Sequence, residues 1–401
     1  MFLLDYTPEQ KSIKLIITTD HTATVNIYSP YSGVNKTVFV NQSVAHVDLP
    51  NSIDSIFTGF TSRGIHILSD KPISVVGFSK LYSRNCCSAL AFNALPADKK
   101  GKYFKIQTLF RNSKDIQSFG IVSVYPDTSV DIKSIAQQPL TISGKTLYNH
   151  DNVTITLKQL QCYYYETNVN FDISGLEITG TKPFVVFSGN KQVDTFINLE
   201  SAVESIPPTD TWGKQFIVPL IKATTIYLKI VMNNPKNVVN ITGNNYFRSF
   251  TSSYKIQVEL PAGSYAVTAK QSILLSVFTK YVNTSISPFM SIIPAITQFS
   301  NDYIVAGPSI FSYLHIPYRN FLSIVIDQIY ASGLRMNGNV VQALEETSIP
   351  LENVNYKCMI VNLSGSSADK ISHLQSNIMF GAIVYGYGYD EAYGYPAGLR
   401  L

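Results

Sequence analysis

Charge is scarce in this chain of 401 residues: only 14% are Asp, Glu, Lys or Arg, little more than half the share usual in soluble proteins. The two signs nearly cancel, 31 basic against 27 acidic, and the lysines are scattered, so no basic stripe marks a nucleic-acid partner. Disordered chains are poor in apolar residues; this one is 45% apolar and is expected to fold. Long hydrophobic runs are missing too. The longest, such as IMFGAIVYGYGY (378–389), stop short of the roughly 18 residues a helix needs to cross a membrane. The opening MFLLDYTPEQ reaches Asp5 after only three apolar residues and does not read as a secretory leader. A cytosolic chain, or one piece of a secreted protein, is the expectation.

Cysteine and histidine are equally thin. There are four cysteines (Cys86, Cys87, Cys162, Cys358) and six histidines, with no CxxC and no metal-ligand spacing, so no metal site is expected. Neighbouring strand residues face apart, which makes Cys86 and Cys87 poor partners for each other. The even count permits two disulfides without requiring them, and buried free thiols are the other reading.

Catalytic motifs are also missing. ISGKT (142–146) is similar to a phosphate loop, but Pro139 stands where that motif needs its first glycine, so a hairpin turn is expected. GYGYDEAYG has Glu391 in place of the third glycine of a dinucleotide fingerprint. No GxSxG and no HExxH occur. The pairs Asp390-Glu391 and Glu345-Glu346 are adjacent, and adjacent strand residues face apart, so solvated turns are expected rather than acid–base dyads. No catalytic residue and no cofactor is expected, unless an active site converges from distant segments.

What the chain has is β-forming residues: Val, Ile, Thr, Ser and Asn, with 25 Tyr and 22 Phe. It also repeats itself. SDKPISVVGFSK (69–80), GTKPFVVFSGNK (180–191), AKQSILLSVFTK (269–280) and QSNIMFGAIVYG (375–386) share a polar turn, a buried run and a polar exit. After the first three come ALPADKKGKYFKIQ (94–107), SIPPTDTWGKQFIVP (205–219) and IIPAITQFSNDYIVA (292–306), each a proline turn leading to an aromatic that opens a new strand. Alternating pairs such as IKLIITTDHTATVNIYS (13–29) and FGIVSVYPDTSVDIKS (119–134) add hairpins. The expected fold is all-β, four tandem β-sandwich-like modules over 1–102, 103–214, 215–301 and 302–401. A closed, propeller-like arrangement of the four is the alternative.

The chain ends YGYGYDEAYGYPAGLRL (385–401), with Tyr385, Tyr387, Tyr389, Tyr393 and Tyr395 at odd positions. A last strand with the tyrosines on one face is expected, Tyr387 and Tyr389 at least half buried; an exposed platform and a sticky tail are the alternatives. Tyr163, Tyr164, Tyr165, Tyr393 and Tyr395 are the candidate aromatic binding surface. Six sequons, at Asn35, Asn41, Asn152, Asn240, Asn283 and Asn362, are candidate glycosylation sites, about as many as chance gives here.

KPISVVGFSK (71–80) with ALPADKKGKYF (94–104), IPPTDTWGKQFIVP (206–219), GLRMNGNVV (333–341) and FGAIVYGYGYDEAYGYPAG (380–398) resemble the N-terminal domain of the IgGFc-binding protein family. The resemblance runs over essentially the whole chain. It implies an extracellular, non-catalytic β-rich module of large secreted mucus and adhesive proteins, with a protein or glycan ligand. Two departures from that expectation stand out in these 401 residues: the opening stretch does not read as a signal peptide, and no cysteine-rich companion domain is read among them. No residue here can be matched to immunoglobulin Fc binding. A non-catalytic extracellular binding or structural module is therefore the leading reading, and a lectin-like carbohydrate-binding protein the alternative.

Overall fold

The computed structural model describes residues 10–53, 58–83, 86–97, 101–194, 199–280, 288–308 and 317–401. The described structure is antiparallel sheets joined by turns and short 3-10 segments. The protein is all-β.

The sheets stack in four sandwich-like groups. In the first, the sheet Val44–Leu49, Gln10–Thr18, Ser74–Ser83, Cys86–Asn93 faces the sheet Val34–Asn41, Thr22–Ser29, His66–Ser69. Strand Thr22–Ser29 shows the cause: Ala23, Val25 and Ile27 turn inward onto Ile13, Leu15 and Ile17, while Thr24, Asn26 and Tyr28 turn outward. The second group sets the sheet Leu199–Ile206, Phe184–Asp194, Ile116–Ser123, Cys162–Thr167, Gly59–Thr61 against Asn152–Leu157, Thr128–Lys133, Glu177–Gly180, Tyr103–Lys105. Gly59–Thr61 comes from the first quarter of the chain, so the two groups share a strand.

In the third group one strand serves both layers. Tyr265–Lys280 pairs with Gly213–Val218 and Val239–Gly243 along its first part, and with Thr225–Met232 and Met290–Ile292 along its second. Its burial lapses at Lys270 and Gln271, between the two parts. The fourth group sets Glu345–Leu351, Val354–Asn362, Arg319–Asp327, Gly381–Tyr387, Ala392–Pro396 against Asp302–Val305, Asp369–His373, Leu334–Met336, Asn339–Val340.

The repeated proline turns mark the centre of the molecule. Four strands, Cys86–Asn93, Leu199–Ile206, Met290–Ile292 and Ala392–Pro396, end at or just before Pro96, Pro207, Pro294 and Pro396. The first lies beside the second, the second beside the third, the third beside the fourth, and the fourth beside the first. The sandwiches therefore close into a ring. Its seam is made by Thr18 Oγ1 donating to Ile304 O (2.7 Å), His46 Nε2 against Ser366 O (2.9 Å) and Lys370 Nζ beside Asp20 (3.2 Å). The four-stranded sheet of the first sandwich is buried on both faces: Ile13, Leu15 and Ile17 serve its own core, and Ile16, Val76, Phe78, Ala89 and Ala91 join the fourth core.

The C-terminal tyrosines do not lie on one straight strand. The chain reverses between Tyr387 and Ala392, with Gly388 N–H donating to Glu391 O (2.9 Å) and Asp390 at φ 56°. In the resulting hairpin Tyr385 sits across from Gly394, and Gly386 across from Tyr393. Tyr385 therefore faces the third sandwich, stacked on Phe289 and Phe321, while Tyr393 and Tyr395 face the first and fourth. Each glycine leaves room for a ring: a Cβ on Gly386 would lie 2.7 Å from Tyr393 Cε1, and one on Gly394 would lie 2.2 Å from Phe289 Cδ2. Tyr387 is half-buried, whereas Tyr389 is exposed at the turn.

Candidate functional surface

Ionisable side chains are paired both within single sandwiches, as Lys191 is with Glu166, and where sandwiches meet. Between the second and third, Lys229 Nζ lies 2.5 Å from Asp172 Oδ2, and Lys255 Nζ is 3.6 Å from the same oxygen. Burial alone would raise the Asp172 carboxyl, but the Lys229 and Lys255 charges and hydrogen bonds from Lys229 and Ser174 outweigh it and hold it well below the usual range. Gln257 accepts from Lys229 Nζ (3.1 Å) and donates to Phe110 O (2.7 Å), and Gln107 donates to Lys229 O (2.7 Å). Lys105, its pKa lowered by burial and partly restored by Glu177, is 3.1 Å from that carboxylate, its partner in the same sheet, and donates across the joint to Met232 O (3.3 Å). Such closed pairs fix one packing of two sheets.

A second cluster lies at the ring's centre. Glu391 is fully buried, takes a hydrogen bond from Tyr318 and lies 3.3 Å from Lys80 Nζ of the first sandwich. The expectation of a solvated Asp390-Glu391 turn is corrected here: folding brings the opposite end of the chain over Glu391. Glu345 and Glu346 are solvated as expected, but they open the strand Glu345–Leu351 and do not form a turn; they pair with Lys222 (3.0 Å) and Lys357 (2.9 Å). The ISGKT segment is the expected hairpin turn, with Ser143 and Gly144 at φ 50° and 76°. Among the described residues no group of three or more His, Cys, Asp or Glu is placed to hold a metal ion. Cys162 and Cys358 are free thiols; burial raises the pKa of both, that of Cys358 to about 11. The side chains of Cys86 and Cys87 lie outside the described residues.

The candidate aromatic surface is corrected as well. Tyr163, Tyr164, Tyr165, Tyr393 and Tyr395 are all buried. Tyr163 and Tyr165 point into the second core, and Tyr164 is covered from outside by Leu90 and Val203. Both faces of that strand are covered at the three tyrosines. Of the sequons, Asn35, Asn41, Asn152 and Asn362 are exposed, Asn240 is half-buried between two partner strands, and Asn283 lies outside the described residues.

Among the described residues, two groups of exposed apolar side chains stand out that the sequence did not single out. The first is the outward face of the three-stranded sheet in the first sandwich. Its cross-strand rows are Phe39 with Thr24, then Thr37, Asn26 and Leu68, then Asn35, Tyr28 and His66. Phe39 is 77% exposed, Leu68 59% and Tyr28 47%, and no residue in these rows is Asp, Glu, Lys or Arg. The signal was present: Tyr28 falls out of phase with inward Val25 and Ile27. The second is a loop patch on the fourth sandwich. His373 Nε2 contacts Tyr330 O (2.9 Å), Leu374 N–H donates to Gly333 O (3.0 Å), and the Tyr330 and His373 rings meet edge to face at 6.2 Å. Beside this pair Ile329 and Leu374 stand 74% and 67% exposed. Asp327 caps the 3-10 segment Gln328–Gly333 by accepting from Ile329 N–H.

Comparison with known proteins gives two findings. The family model described as IgGFc binding protein matches residues 90–386, from inside the first central strand to the penultimate strand of the chain. A protein from Homo sapiens named "IgGFc-binding protein" is 20% identical over 396 residues. That similarity covers 96% of this chain but only 6% of the length of the relative.

Proposed function

This chain belongs to the IgGFc-binding protein family, and from that premise we propose that it is an extracellular, non-catalytic binding module of the mucus or adhesive type, with a secreted protein as its ligand. The observation that carries the protein-ligand reading is the loop patch: Ile329 and Leu374 held out in solvent on a capped, hydrogen-bonded frame. Binding residues concentrate on loops that a rigid scaffold positions, and exposed large apolar side chains around an aromatic centre are what a protein interface uses. The ring supplies the scaffold. The ionisable clusters between and within its sandwiches are spent on joints, which supports a binding rather than a catalytic role. We propose also that 1–102, 103–214, 215–301 and 302–401 are its four repeat units.

Because the human relative is named for Fc, an Fc fragment is the first probe and a secreted mucin the second. Biosensor titration with the wild type and an Ile329→Asp/Leu374→Asp double variant tests the reading. Binding of either probe that falls at least about tenfold in the variant, with unchanged melting, supports it; a 1.4 kcal/mol loss is enough for that. No binding of either probe, or equal binding by both forms, overturns it.

A further inference from the structure

We propose that Asn35 carries an N-linked glycan whose first sugar packs on the Tyr28 ring, at one end of the apolar face that Leu68 and Phe39 continue. Asn35 and Tyr28 are directly opposite across the Val34–Asn41/Thr22–Ser29 ladder. Opposite residues hold their Cβ atoms about 5 Å apart on one side of a sheet, so a sugar on Asn35 starts beside the Tyr28 ring. The acceptor sequence NKT is complete, and Asn35 itself is exposed.

The surroundings suit a neutral sugar. The rest of the face offers amide, hydroxyl and imidazole groups, with Thr37 Oγ1 donating to Asn26 Oδ1 (2.8 Å). The corresponding outward face of the second sandwich is polar instead, with exposed Asp131, Thr154, Thr156 and Thr179. That face contains a sequon too, at Asn152, but offers no large apolar side chain among these residues for a sugar to cover.

The face spans three strands and three rows, about 10 by 14 Å, far less than the roughly 800 Å² per partner of a stable dimer. Val34–Asn41 is also an edge strand, and a bulky group there blocks pairing with another chain. In the transfer, the Asn35 side-chain nitrogen bonds to the anomeric carbon of a lipid diphosphate-linked oligosaccharide. The C–O bond to the diphosphate breaks, the lipid diphosphate leaves with that electron pair, and the nitrogen loses one proton.

The inference rests on the extracellular reading above. The test is secretion of the full chain from a eukaryotic host, with site-by-site peptide mass spectrometry after glycosidase release in heavy-oxygen water. Near-complete occupancy of Asn35 is expected. Trimming to a single N-acetylglucosamine should leave the melting temperature in place, Asn35→Gln should lower it by a few degrees, and Tyr28→Ala should abolish that difference. A bare Asn35 beside occupied Asn152 and Asn362 overturns this inference alone. A chain retained in the cell with every sequon bare overturns the extracellular reading with it. An occupied Asn35 whose sugar stabilises the Tyr28→Ala protein equally shows a sugar pointing away from the face, and also overturns it.

Discussion

Glu204 is the clearest case of a single side chain whose chemistry is set by the ring. It lies buried on a central strand, and burial pushes its carboxyl well above the ordinary value, offset only in part by the Ser205 and Asn93 backbone N–H groups. The folded protein therefore keeps a proton that the unfolded chain gives up near pH 4.5. The contribution of this one group is full below that pH and falls as the pH rises toward the raised folded value, by at most about 1.4 kcal/mol per pH unit for one proton. Glu204→Gln is expected to remove this component. Denaturant melts at rising pH from 5 should show the variant gaining on the wild type until the raised folded value is reached; parallel curves would mean that Glu204 ionises freely. Neither this group nor Glu391 was legible in the sequence. A glutamate in a strand reads as an outward side chain, and Lys80, the basic partner of Glu391, lies about 300 residues away in the chain.

At the scale of elements, periodicity told strand from helix correctly and told inside from outside only where one face is solvated. The Thr22–Ser29 strand is such a case, and its inward residues could be named from the alternation. Cys162–Thr167 is covered on both faces at its three consecutive tyrosines, which carry no alternation to reveal it. The C-terminal hairpin hid itself differently: its turn returns the chain with glycine opposite tyrosine, so a regular Tyr-Gly pattern passes for one strand. Deleting 385–401 removes the buried Tyr385, Tyr393 and Tyr395 together with the fourth central strand. At about 2 kcal/mol for each large side chain, the loss rivals the 5–15 kcal/mol net stability of a typical domain. The truncated chain is expected to be insoluble, as judged by the soluble yield after lysis; a soluble product with the full-length melting profile would show the hairpin to be dispensable.

For the whole molecule, the repeat in the sequence announced four similar units, and the proline turns turned out to flank the strands that meet at the centre. Closure of the ring was only one of two expected arrangements. The contacts that close it, Thr18 with Ile304, His46 with Ser366 and Lys370 with Asp20, join residues that no local pattern links. Shared strands and two-sided sheets leave little for any sandwich to do alone. Scanning calorimetry is therefore expected to show one cooperative transition whose calorimetric and van't Hoff enthalpies agree. Four resolved transitions would instead describe beads on a string.

The two-sided sheet of the first sandwich also imposes a waiting time during synthesis. Phe78, Ala89 and Ala91 leave the ribosome early, yet Tyr393 and Tyr395, which cover them, are made about 300 residues later. At 5–20 residues per second the nascent chain carries that apolar face uncovered for about 15 to 60 s. A first sandwich that folds as it is made would have one side uncovered through this interval, the surface a chaperone would hold until the last hairpin arrives.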